Sequence, residues 1–232
     1  MLASSNHHNI QTYSAGFSDY PYFDETKYGI QLAEEINTRH HIFDLSEDKI
    51  SSAVENVLNS FSEPFADTSA IAYYLLSKHT ADHVKVVLSG DGADEVFGGY
   101  RKHKAEWMFQ NNKLITKLVS TLGITNNKTK GSRNSFAGEK RRQLKKWLNG
   151  AAISAENRYF LWASIQNESD VRQLFDYPVP SILFRQNNFK SMNDVLQADM
   201  QLVLPGDMLT KADRMSMQFG LEVRTPFLDH HL

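Results

Sequence analysis

The sequence predicts an α/β fold, a mostly parallel sheet with flanking helices, joined to a mainly helical C-terminal part. Three observations predict it. Strand-like and helix-like patterns alternate from Gln11 to Leu88, the signature of βαβ units. The strand-like run Val84-Lys-Val-Val-Leu88 stops abruptly at the polar turn Ser89-Gly90-Asp91-Gly92. Beyond about Tyr100 strand patterns become rare and helical spacing takes over. The division is expected near residue 110, with 1–110 as the α/β part and 111–232 as the helical part.

Gln11 to Phe17 carries β-branched and aromatic residues and is stopped by Ser18 and Asp19, so it reads as a strand. Asp24 is a plausible N-cap for a helix in which Tyr28, Leu32 and Ile36 recur on one face. His40 to Phe43 reads as a second short strand. Ser46 can cap the next helix, where Ile50, Val54, Val57, Leu58 and Phe61 share a face. Glu63-Pro64 ends it, because the residue before proline avoids helical angles. Asp67 to Lys78 is helical, with Ile71, Tyr74 and Leu75 in periodic positions. Val84 to Leu88 is the clearest candidate for a buried strand. Asn126 to Gly138 is rich in Asn, Lys, Thr, Ser and Gly and reads as a loop.

Composition excludes several classes. Apolar residues make up 41% and charged residues 22%, the balance of a folded globular chain. The net charge of -2 gives no basic face for nucleic acid, and Lys140, Arg141, Arg142, Lys145 and Lys146 read as a solvated basic surface. No apolar run approaches the roughly 18 residues of a membrane span, and Met1–Asn9 is too polar for a secretory signal. The absence of cysteine excludes disulfides and thiolate metal sites, and suits a cytoplasmic protein. His7 and His8 read as part of a frayed tail.

Chemistry concentrates in the stretch from Ser89 to Tyr100. In open α/β sheets ligands bind beyond the carboxyl ends of strands, which is where this turn falls. Gly90 and Gly92 lack a Cβ, so backbone there can approach a ligand closely. Asp91, Asp94 and Glu95 are oxygen donors of the kind that hold Mg²⁺ beside a polyphosphate. The bland alternative is a strand-to-helix turn whose acids cap a helix start. An EF-hand is excluded, since the third ligand position is Ala93 and the twelve-residue pattern is not completed.

The segment Ser89-Gly-Asp-Gly-Ala-Asp-Glu-Val-Phe-Gly-Gly-Tyr100 resembles the second nucleotide-site signature of the asparagine synthetase (glutamine-hydrolysing) family. So do Leu204-Pro-Gly-Asp-Met-Leu-Thr-Lys-Ala-Asp-Arg-Met-Ser-Met217 and Gly220-Leu-Glu-Val-Arg-Thr-Pro-Phe-Leu-Asp229, which resemble the family's Lys-x-Asp-Arg-x-Ser-Met and Glu-x-Arg-x-Pro-Phe-Leu-Asp run. Upstream, Tyr13-Ser-Ala-Gly-Phe17 and Glu63-Pro-Phe-Ala-Asp-Thr-Ser69 match in family order. The resemblance implies a synthetase domain of the ATP pyrophosphatase type, using ATP and Mg²⁺ to adenylate an aspartate side chain. Ammonia from a glutaminase domain then displaces AMP.

By that resemblance Ala15 lies where the family backbone contacts adenine, and Ser89, Gly90 and Gly92 fall at nucleotide-contact positions. Asp94 matches the carboxylate associated with Mg²⁺-pyrophosphate. Asp91 stands where several relatives carry glutamate, placed to orient a substrate ammonium or to accept a proton from ammonia. Lys211 and Arg214 are implied to contact phosphate or acyl oxygens, or else to pair with Asp207, Asp213 or Glu222. Asp67 and Ser69 read by default as helix-capping residues, and Glu95 as a helix cap. His40 and His41 match a His-His position with strand packing as the plain reading. Met208, Met215 and Met217 read as core filler. Arg224, Pro226, Phe227 and Asp229 read as a turn.

The pattern also departs from the family. A first phosphate loop, Ser-Gly-Gly-x-Asp-Ser, is expected ahead of Tyr13, a cysteine nucleophile in the glutaminase domain and a lysine region after Asp229, and the 232 residues contain none of them. The chain is therefore expected to be truncated at both ends, inactive alone, and left with an exposed sheet edge or apolar face. Two other readings stand beside the asparagine-forming one. One is a relative that activates another carboxylate, in β-lactam formation, peptide cyclisation or polysaccharide modification; the other is a degenerate, non-catalytic binding module. The family resemblance leaves a homodimer open.

Overall fold

The computed structural model describes residues 10–21, 24–112, 147–150, 153–164, 171–175 and 189–231. The basic run Lys140–Lys146, the loop Asn126–Gly138 and His7-His8 lie outside the described residues. Two compact units divide the chain, residues 1–91 with 206–232 and residues 92–205.

The first unit is built on parallel strands, as the βαβ alternation requires. Strand β1 (Gln11–Gly16) pairs in parallel with β2 (Arg39–Asp44), with Tyr13 beside His41 and Ala15 beside Phe43. The crossover is α1 (Thr26–Glu35). Asp24 accepts a hydrogen bond from the Thr26 N–H at 2.9 Å, one residue ahead of the cap position Glu25. Gly29 lets this helix lie close on the strands, because a Cβ there would meet Ser14 Oγ at 2.7 Å. The apolar face of α1 is not buried: Tyr28 is 61% and Leu32 55% exposed, and Ala33 is the residue that packs inward. An exposed apolar strip therefore runs along this face of α1.

Helix α2 (Glu47–Leu58) starts at Ser46, whose side chain makes no capping bond. It is followed by α3 (Ser69–Ala81). The core of this unit gathers Leu45, Ala53, Val57, Ala70, Tyr74, Leu75 and Met215, with Ala15 and Phe219 packed against it. Each such large side chain removed from water stabilises the fold by roughly 1.5–3 kcal/mol. Tyr13, His41 and Phe43 stack with His79 of α3 and with His83 just beyond its end, so His41 has a packing role.

Strand β3 is shorter and more exposed than its strand-like run suggests. It spans Val86–Leu88, with Val86 45% and Leu88 54% exposed. Its partner is a strand the sequence reading missed, β4 (Glu222–Arg224), paired in parallel so that Val87 lies beside Val223. Only three residues long, β4 offers too short an alternation to be legible. A 3₁₀ turn, Pro226–Leu228, follows it.

The second unit is helical among its described residues. It contains α4 (Ala93–Phe97), α5 (Arg101–Asn111), α6 (Ala155–Ala163) and α7 (Met192–Gln201). Tyr159, Phe189, Val195 and Ala198 form its core. Helix α7 begins with a capping box, in which Ser191 and Asp194 satisfy each other's backbone donors. A π-helical turn, Leu204–Leu209, leads into α8 (Thr210–Met217), which belongs to the first unit and packs on α3. No helix of the described residues is long and apolar enough to cross a membrane.

Candidate functional site

In the first unit, Asp91 and Lys211 both attach to helix α3. Asp91 sits just past β3 and its Oδ2 accepts a hydrogen bond from the Tyr73 hydroxyl at 3.2 Å. The Ser89 hydroxyl donates to the same oxygen, while the Asp91 N–H returns a bond to Ser89 Oγ at 3.0 Å. The Ser89 N–H is bound to the Arg224 carbonyl at 2.9 Å, which ties the turn to β4. Asp91 Oδ1 accepts no hydrogen bond among the described residues. Burial first, and then the neighbouring Asp91 charge, push the Tyr73 hydroxyl well above the usual tyrosine range, so it stays a donor.

Lys211 is buried in α8, and its ammonium donates to Asp67 Oδ2 at 2.5 Å, Ser69 Oγ at 2.8 Å and Met208 Sδ at 3.5 Å. Pairing with Asp207, Asp213 or Glu222 was one of the two alternatives open from sequence; the ion-pair partner is Asp67, far away in sequence and brought close by the packing of α8 on α3. Asp67 also receives the Ser69 N–H at 2.9 Å and the Ser69 hydroxyl at 2.6 Å. Burial alone would raise the Asp67 carboxyl, but the bonds from Lys211 and Ser69 and the Lys211 charge hold it below its ordinary value. The cap position of α3 is Thr68, so Asp67 binds the Ser69 N–H from one residue ahead of it and also holds the lysine.

Ser69 and Tyr73 are four residues apart on α3 and so share a face, about 6 Å apart along the axis. The turn after β3 and the start of α8 are thereby anchored to successive turns of one helix. Arg214 is exposed and makes no ion pair among the described residues. Ala15 packs its methyl against the core, and β1 has no second strand beside it among the described residues. Gly90 is open: nothing lies within 4 Å of where a Cβ would stand.

Asp94 belongs to the second unit. Gly92, with φ 90, starts α4 in a left-handed conformation that an L side chain adopts only at a cost. Gly98, with φ 72, ends it, and the Gly99 N–H binds the Asp94 carbonyl at 3.0 Å. A side chain at Gly99 would run into the Asp94 carboxylate, so glycine there keeps that group in place. Asp94 itself is exposed and makes no side-chain hydrogen bond among the described residues. Glu95 is not a helix cap. It is 1% exposed, and its Oε1 accepts from the Tyr100 hydroxyl at 2.7 Å.

Sequence reasoning also missed a buried cluster in this unit. Asp199 of α7 is fully buried and accepts from Lys102 at 2.5 Å, His103 Nε2 at 2.6 Å and Tyr159 at 2.6 Å. Beside it Arg158 grips Glu106 through Nε at 2.5 Å and Nη2 at 2.9 Å. These residues sit in segments whose sequence carries no turn or glycine signal. Among the methionines, Met215 is core filler at 0% exposure, whereas Met217 is 56% exposed and Met208 serves Lys211.

The family model described as asparagine synthase matches residues 1–232. The chain belongs to the asparagine synthase family. Asparagine synthetase [glutamine-hydrolyzing] 1 of Bacillus subtilis is 27% identical over 239 residues, covering 98% of this chain and 36% of its own length. A putative asparagine synthetase [glutamine-hydrolyzing] of Mycobacterium tuberculosis is 28% identical, over 98% of this chain and 35% of its own. Asparagine synthetase [glutamine-hydrolyzing] 1 of Arabidopsis thaliana is 36% identical over 85 residues, 35% of this chain. The chain spans about a third of the length of the Bacillus and Mycobacterium relatives. In asparagine synthase terms, the motifs around Asp91 and Lys211 are the two that α3 draws together.

Proposed function

We propose that this chain supplies part of an ATP-dependent, AMP-forming amide synthetase, with aspartate as the carboxylate substrate and ammonia from a glutaminase domain as the nitrogen source. The observation that carries the reading is the convergence of Asp91 and Lys211 on neighbouring turns of α3, although they lie far apart in sequence. In the first step a carboxylate oxygen attacks the α-phosphorus of ATP, the bond to the β-phosphate breaks, and pyrophosphate leaves. In the second, ammonia attacks the acyl carbon, AMP leaves, and one proton passes from nitrogen to a base.

Each residue has a task in that scheme. Asp91 Oδ1 is an open acceptor for a substrate ammonium or for the proton released in the second step. Lys211 brings a fixed positive charge. Its contact to the Met208 thioether is its weakest, and that N–H is the one a phosphate or acyl oxygen takes over. Arg214 is exposed and available to phosphate. Gly90 and Gly92 leave room for nucleotide, and Ala15 meets adenine through its backbone. Asp94, an exposed carboxylate with no partner among the described residues, fits a hard cation and would hold Mg²⁺. Mg²⁺ held there would supply positive charge to offset the negative charge growing on the departing pyrophosphate.

A second reading is favoured by one observation: Asp91 is a methylene shorter than the glutamate its position resembles, so the site would suit a different carboxylate. The test is aspartate-dependent exchange of labelled pyrophosphate into ATP by the full-length protein, with other carboxylates run beside it. Exchange with aspartate is the expected result, and the 232-residue chain alone is expected to be silent. Exchange with another carboxylate and not with aspartate moves the assignment to the second reading. No carboxylate supporting exchange above an ATP-only background would sink both and favour a non-catalytic module.

A further inference from the structure

We infer that Tyr73 is a positioning residue for Asp91, and that it determines which oxygen of that carboxylate faces the cationic nitrogen of the amino-acid substrate. The inference rests on the amide-forming reading above. A carboxylate on a turn can swing about its side-chain bonds, and each orientation presents a different lone pair. Two hydroxyl donors from different elements remove that freedom. Ser89 reaches Asp91 Oδ2 from within the turn, and Tyr73 reaches the same oxygen from α3 at 3.2 Å. Both donors meet at one oxygen, so Oδ1 is the atom left with unused lone pairs.

The rest of the packing supports a fixed rather than a transient contact. Tyr73 lies on a helix whose next residues, Tyr74 and Leu75, are buried in the core, so its backbone cannot drift. The hydroxyl is half-buried, and a phenol in that environment needs a partner for its O–H. The ligand follows from the chemistry. A carboxylate oxygen with no partner among the described residues accepts an N–H donor, and a primary ammonium matches both its charge and its geometry. Tyr73 touches no reacting atom in this arrangement, so its effect passes entirely through Asp91.

The test compares the full-length wild type with Tyr73→Phe, Asp91→Asn and the double variant. Loss of one orienting hydrogen bond corresponds to a decrease of about 5- to 10-fold in kcat/KM for the amino acid. Expected results are that decrease, with KM for ATP unchanged within about twofold, and no further effect of Tyr73→Phe in the Asp91→Asn background. The Asp91 carboxyl carbon resonance is expected to shift between wild type and Tyr73→Phe. An unmoved resonance would overturn the inference, because the contact would not exist in solution. A rate loss of equal size in the Asp91→Asn background would overturn it too, by showing a merely structural tyrosine. Wild-type protein without exchange would defeat the amide-forming reading instead, and the resonance comparison alone would then decide whether Tyr73 sets the carboxylate.

Discussion

Asp91 and Asp199 are both carboxylates that take a tyrosine hydroxyl from a neighbouring helix, and they have opposite fates. Asp199 is fully buried and both its oxygens are engaged: Oδ1 by Lys102 and Tyr159, Oδ2 by His103. Asp91 is half-buried, with its donors crowded on Oδ2 and Oδ1 left open. The first arrangement fastens α5, α6 and α7 to one another inside the second unit. The second holds a charge still while leaving it capacity for one more partner. Burial and hydrogen bonding alone do not separate scaffold from site; what separates them is whether the group's hydrogen-bonding capacity is exhausted.

The comparison is broken most directly at Asp199. Asp199→Ala leaves a buried histidine and tyrosine and a partly buried lysine without their shared partner, and is expected to cost about 3–5 kcal/mol in urea denaturation. A loss under about 1 kcal/mol would mean the cluster is not a fastening. Asp94 sharpens the other side, as a carboxylate with no side-chain hydrogen bond among the described residues. In the full-length protein Asp94→Ala is expected to lower pyrophosphate exchange by about 100-fold or more, with little change in thermal midpoint. A thermal loss matching the loss of exchange would place Asp94 with the scaffold.

The smallest effect is on acid stability. Burial would raise the Asp199 carboxyl, but bonds from His103, Lys102 and Tyr159 hold it below its ordinary value, and Asp67 is likewise held down by Lys211 and Ser69. A depressed carboxylate binds protons less tightly folded than unfolded, so its contribution is complete above the ordinary carboxylate range. It is lost as pH falls through that range toward the folded value. Urea midpoints measured between about pH 6 and pH 3 should therefore fall, and Asp67→Asn should flatten part of the slope. An unchanged slope in that variant would show that Lys211 does not stabilise the ionised form of Asp67.

Much of the first unit was legible because its signals are local. β1, β2, α2 and α3 follow from side-chain alternation, helical spacing and breakers, each acting within a few residues. The motif after β3 marked Asp91 and Asp94 because glycine and carboxylates cluster there. Where the reading failed, the cause was long-range. β4 was missed because three residues carry no periodicity, and it is a strand only by virtue of its ladder with β3. The exposure of Tyr28 and Leu32 on α1 was not legible, since amphipathicity says which side is apolar but not whether anything covers it. Tyr73 was passed over because a tyrosine on a helix has no signal until its hydroxyl is seen to meet Asp91.

By itself, then, the amino-acid order determined the family motifs, the parallel α/β character and the identity of the charged groups. These are properties of residue type and short spacing. Tertiary structure alone decided that Lys211 pairs with Asp67, that Glu95 is buried under Tyr100, and that Asp199 is saturated while Asp91 is not. A hydrogen bond acts over about 3 Å of space, whatever the distance along the chain. Which donors reach a carboxylate is therefore settled only when helices far apart in sequence have packed together.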